Sequence, residues 1–141
     1  MAFDLESKRF LKGFSLVVGL MDAATGIGLV FLPVLTLQLM GLDAGAYATS
    51  LIRFIGTFVF ASGGLYLWGL ILGKRTSSRE PLYFAWVATS WIRLCVGTST
   101  GIMIAIGELS PGWLSVPMAD LSIAIFQLYL IWTGAFSLQQ K

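Results

Sequence analysis

No histidine occurs among the 141 residues, and cysteine occurs once, as Cys95. The missing imidazole removes the commonest metal ligand, the usual axial ligand of haem and the usual general base together. A lone cysteine inside an apolar segment cannot build a disulfide framework, a CxxC redox pair or a cysteine metal cluster within one chain. Charge is scarce as well. Asp, Glu, Lys and Arg make up 11% of the residues, where ordinary soluble domains carry about 25%. A net charge of +2 is too small to argue for nucleic acid as a partner. The stretch "GKRTSS" at Gly73 to Ser78 lacks the upstream glycine of a GxxxxGK[ST] loop, and neither a GxSxG elbow nor an HExxH pair is present.

What is abundant is apolar sequence, 57% of the chain, which places it in the membrane class. About 20 consecutive apolar residues span the hydrocarbon layer as a helix. Four stretches qualify: Phe10 to Leu32, Ala46 to Leu72, Pro81 to Ile106 and Trp113 to Phe136. The expected fold is all-α, a four-transmembrane-helix bundle forming a single domain over residues 1–141. The opening "MAFDLESKRFLKGF" mixes acids and bases ahead of a run too long for a signal core, so it reads as a retained first helix. The connection "PVLTLQLMGLDAG" is itself apolar; Pro33 ends or kinks the first helix, and the leucines beyond it describe a short segment in the interface.

The bases set the expected direction. Lys8, Arg9 and Lys12 precede the first span, Lys74, Arg75 and Arg79 fill the loop after the second, and Lys141 ends the chain. Four crossings put all of these on one side. The opposite connections carry Asp43 and Glu108 but no Lys or Arg. The positive-inside rule then puts both termini in the cytoplasm, and the expected location is a bacterial inner (cytoplasmic) membrane. Tyr66, Trp68, Tyr83, Trp86, Tyr129 and Trp132 would line the cytoplasmic interface, with Tyr47 and Trp113 opposite.

Two bases remain, Arg53 and Arg93, and the spans hold two acids, Asp22 and Asp120. An Arg or Asp at a helix centre costs roughly 2.5 to 3.5 kcal/mol on insertion scales, so such groups face a partner or water. Counted from the expected helix ends, Arg53 and Asp120 share one level and Asp22 and Arg93 another. That favours the pairs Asp22 with Arg93 and Arg53 with Asp120. The alternative joins neighbours in sequence, Asp22 with Arg53 and Arg93 with Asp120. Both arginines stand in nearly the same word, "ATSLIRF" and "ATSWIRL", which puts Thr49 and Ser50, or Thr89 and Ser90, on the arginine's own helix face. Those hydroxyls can take guanidinium donors that one carboxylate leaves over. Gly19, Thr25 and Gly26 surround Asp22 similarly, and Gln127 lies two turns beyond Asp120. Gly56, Gly97 and Gly101 are expected helix-packing positions, the last two in the small-xxx-small run "GTSTG". A structural role for the charges outweighs a chemical one, since charges paired between helices fix register without doing chemistry. No catalytic residue, metal ligand or cofactor is assigned.

A first span ending "FLP", an apolar segment ending in Gly-Leu, and then "LIRFIGTFVFASGGLYLWG" resemble the DoxX-like small four-helix membrane proteins. The resemblance implies a four-helix bundle and carries over Arg53 alone, and some members of that group are linked to sulfur-compound oxidation feeding quinone. The leading functional expectation is a non-catalytic integral-membrane accessory subunit, with the lipid bilayer, other membrane subunits or further copies of itself as partners. The alternatives are a membrane redox or quinone-pathway component of DoxX-like type, and a unit for permeation of a small solute or ion.

Overall fold

The computed structural model describes residues 2–43, 45 and 47–136, with side chains from Arg9 onward. Lys141, the side chain of Lys8 and the expected second-span start at Ala46 lie outside the described residues. Regular structure among the described residues is all helical: α1 (Ala2–Phe31), α2 (Pro33–Leu39), α3 (Thr49–Thr76), α4 (Glu80–Ala105), a 3₁₀ turn at Pro111–Leu114 and α5 (Ser115–Trp132). Four segments are long and apolar enough to cross a membrane: Arg9–Phe31, Thr49–Thr76, Glu80–Ala105 and Pro111–Trp132.

Local chemistry sets the ends. Proline has no N–H and pushes the residue before it out of the helical region. Leu32 accordingly adopts φ −130° and ψ 54°, and Pro33 opens α2. The fourth span stops four residues short of the expected Phe136. Gly134 takes φ +77°, its N–H donates to the Ile131 carbonyl and that of Ala135 to the Leu130 carbonyl. This is a Schellman stop, which needs a left-handed residue that glycine supplies without a Cβ penalty. Gly107, at φ +81°, closes α4 the same way through Gly107 to Ile104 and Glu108 to Met103.

Each long helix buries polar side chains while exposing large apolar ones. Buried positions of α1 recur at Leu11, Ser15, Val18, Asp22 and Leu29, and those of α4 at Leu82, Trp86, Thr89, Arg93 and Gly97, one narrow helical stripe each. Ser15, Asp22, Ser62, Thr89, Ser90, Arg93 and Gln127 are all buried, whereas Val17, Phe31, Phe58, Trp68, Phe84, Trp91, Met118, Ile125 and Trp132 are exposed. In water so many exposed apolar side chains would be a liability. In a bilayer it is the expected boundary, because lipid tails are as apolar as leucine. Tyr66 and Trp86, expected among the interfacial aromatics, are instead fully buried, while Trp68, Tyr129 and Trp132 are exposed.

Contacts divide the chain into two compact units, residues 1–82 and 83–141. In the first, α1 and α3 pack antiparallel, and α2 lies against both. Backbone meets backbone here. A Cβ on Gly26 would collide with the Phe60 nitrogen, one on Gly56 would stand 2.9 Å from the Gly26 oxygen, and one on Gly63 2.6 Å from the Gly19 oxygen. Gly19 faces Gly63 and Gly26 faces Gly56, so two glycines seven apart on each helix make the crossing. Such close approach gains dispersion and weak Cα–H···O contacts that larger residues would forbid. Leu37 and Leu42, held inward by α2 and its exit turn, are buried.

In the second unit, α4 and α5 form an antiparallel hairpin. Its rungs run from Gly101 beside Pro117, through Gly97 against Leu121 and Asp120, to Trp86 edge-on to Phe136 at 5.0 Å between centroids. The Gly134 stop turns Phe136 back toward Trp86 and Tyr83.

Candidate functional site

A cluster of buried polar side chains lies midway along the α4–α5 hairpin. Arg93 stands thirteen residues after Glu80 and twelve before Ala105, about 18 to 20 Å from either end of α4. That is near the middle of a roughly 30 Å hydrocarbon layer. Its side chain is 6% exposed, and Nη1 donates to Oδ1 of Asp120 on α5. A charge-assisted bond of this kind is about twice as strong as a neutral one, and it removes the net charge from an apolar setting.

One turn toward the start of α4, the Thr89 hydroxyl donates to the Ala85 carbonyl at 2.7 Å and the Ser90 hydroxyl to the Trp86 carbonyl at 2.7 Å. Where no water is at hand, a helical hydroxyl satisfies itself on the carbonyl four residues back. Thr89 Oγ1 in turn accepts from Gln127 Nε2 at 3.4 Å, a long bond between two fully buried residues. Gln127 Oε1 is buried and has no hydrogen-bond partner among the described residues. Arg93, Asp120, Thr89 and Gln127 thus form a polar ladder tying α4 to α5, with Gly97 giving the close approach it requires: a Cβ there would meet Leu121 Cγ at 2.8 Å.

Of the pairs expected from depth, Arg53 with Asp120 is not the one formed. Asp120, expected opposite Arg53, instead accepts from its sequence neighbour Arg93. The reason lies in the helix ends. α3 begins at Thr49, so Arg53 is only four residues, about 6 Å, inside it. Asp120 is nine residues beyond Pro111, where its span begins, and therefore deeper. Arg53 is exposed and, among the described residues, takes part in no ion pair. Thr49 and Ser50 are exposed beside it. Asp22 is buried on α1, between Gly19 and Gly26; its Cβ lies 3.0 Å from where a Gly63 Cβ would be.

Of the three expected packing glycines, Gly56 and Gly97 occupy tight contacts, whereas a Cβ on Gly101 would meet Pro117 at an ordinary 3.9 Å. Gly63, which the sequence reading passed over, is tighter than any of them. Its signal was the seven-residue interval from Gly56, matching that from Gly19 to Gly26. Among the described residues no three His, Cys, Asp or Glu side chains gather in a metal-ligating group. Cys95 is exposed on α4. Compared with known protein families, curated proteins and solved structures, the chain matches none of them.

Proposed function

We propose that the chain is a non-catalytic integral-membrane subunit that packs against other membrane proteins. One observation carries this reading. The hairpin's buried charges are consumed by each other and its buried hydroxyls by helix carbonyls, while large apolar side chains face outward along all four long helices. The outward faces offer area for partner helices as readily as for lipid. Both termini lie on the cytoplasmic side of a bacterial inner membrane, since seven Lys and Arg fall on that side and the opposite connections have none. The short α2, with Val34, Leu35 and Leu39 exposed, rests in the opposite interface. Gentle detergent extraction from native membranes, followed by mass measurement, tests the subunit reading. It expects stoichiometric co-purifying membrane proteins; a stable lone monomer would sink it.

A second reading, a membrane redox component of DoxX-like type, draws on the α3 resemblance and on Gln127 Oε1. A fully buried carbonyl without a donor is costly, by about 1–3 kcal/mol. The hydroxyl of a reduced quinone is one donor that would satisfy it. Quinone analysis of purified protein distinguishes the readings: bound quinone lost in Gln127→Leu supports the second, and its absence from the native protein removes it.

A further inference from the structure

Arg53 is a charge that the fold leaves outside. It lies on α3, a helix whose first twenty-five residues contain no other charged side chain, and it is exposed with no ion pair among the described residues. Guanidinium does not lose its proton in proteins, so neutralisation by deprotonation is closed to it. Lipid tails cannot solvate it, at a cost of several kcal/mol. At about 6 Å inside the helix start, its three-carbon stem reaches the headgroup layer by snorkelling.

The surroundings fit a phosphate. Thr49 and Ser50 lie four and three residues before Arg53 and Thr57 four after, hence on the same helix face. All three are exposed. Thr57 donates to the Phe54 carbonyl at 2.6 Å, while the hydroxyls of Thr49 and Ser50 have no partner among the described residues and remain available as donors. Phe54 and Phe58, one and five residues after Arg53, stack edge-on at 4.9 Å, both exposed, and present an apolar wall to an acyl chain. A planar guanidinium fork matches the two free oxygens of a phosphodiester. From this arrangement we infer that Arg53, Thr49 and Ser50 hold the phosphate of a phospholipid headgroup in the leaflet where α3 begins, with Phe54 and Phe58 against its acyl chain. The inference rests on α3 spanning a membrane and not on the subunit reading, so loss of either leaves the other standing.

The test uses the full chain in phosphatidylcholine nanodiscs carrying a trace of spin-labelled phosphatidylglycerol, with the motionally restricted lipid fraction read by electron paramagnetic resonance. Wild type is expected to restrict the label. Arg53→Gln should weaken its relative association about tenfold, which corresponds to one charge-assisted hydrogen bond. Arg53→Lys should retain part of the effect, and Arg75→Gln, at the other end of α3, all of it. Inorganic phosphate that displaces the label would assign the site to free anion and overturn the lipid source. Equal restriction by wild type and Arg53→Gln overturns the inference outright. So does crosslinking that places an acidic side chain of another protein on Arg53. Should Arg53→Gln fail to fold, the Thr49→Val, Ser50→Ala pair must reproduce a weaker loss, and its failure to do so counts equally against the site.

Discussion

"ATSLIRF" and "ATSWIRL" differ at two of seven positions, yet their arginines meet opposite conditions. Arg93 is buried at the middle of α4 and bonded to Asp120; Arg53 is exposed near the start of α3, with no ion pair among the described residues. The hydroxyls preceding them divide likewise. Thr89 and Ser90 are fully buried and turned onto helix carbonyls, whereas Thr49 and Ser50 are exposed. A local word fixes which side chains share a helix face. Depth along the span and the presence of an acid on the next helix decide what that face does.

Six substitutions test this contrast. The largest effect is expected for Arg93→Met, which strands Asp120 without its counter-ion and should cost about 3–5 kcal/mol in reversible unfolding from mixed micelles. Adding Asp120→Leu should return most of that loss. A coupling energy below about 0.5 kcal/mol would mean that the pair does not hold the hairpin. Next comes Gly26→Ala, whose methyl meets the backbone of Phe60 and must push the helices apart, for about 1–3 kcal/mol in the same assay. Its control is Gly64→Ala, where nothing lies within 4 Å, and that variant should be neutral or slightly more stable.

Gly134→Ala forces a Cβ into a left-handed conformation at a cost of about 1–2 kcal/mol. It should also loosen Phe136, visible as a change in Trp86 fluorescence. Arg53→Gln should shift stability by less than about 0.5 kcal/mol. A loss comparable to that of Arg93→Met would show that the two arginines are equivalent after all.

The four spans were legible because length and apolarity alone define them, and the apolar segment after Pro33 emerged as α2. Their ends were less so. Residues 113–136 read as one apolar run, but Gly134 ends the helix at Trp132 through a turn that hydropathy does not register. That error propagates into the charges, since depths counted from inexact ends made Arg53 and Asp120 look level. Short connections between α4 and α5 favour sequence neighbours, and the long arginine side chain absorbs the remaining offset. Burial of Tyr66 and Trp86 was hidden for a related reason: ring position along a helix is visible in sequence, but its rotation about the axis depends on which stripe packs inward. The glycine crossing was there to be read, in the intervals Gly19 to Gly26 and Gly56 to Gly63.

That crossing has a thermal corollary. In a bilayer the surfaces freed when α1 and α3 part are covered by lipid and not by water, so their separation should carry almost no heat-capacity change. The grip between these two helices should then be nearly the same in a cold membrane as in a warm one, unlike a leucine-filled interface formed in water, which slackens as the temperature falls.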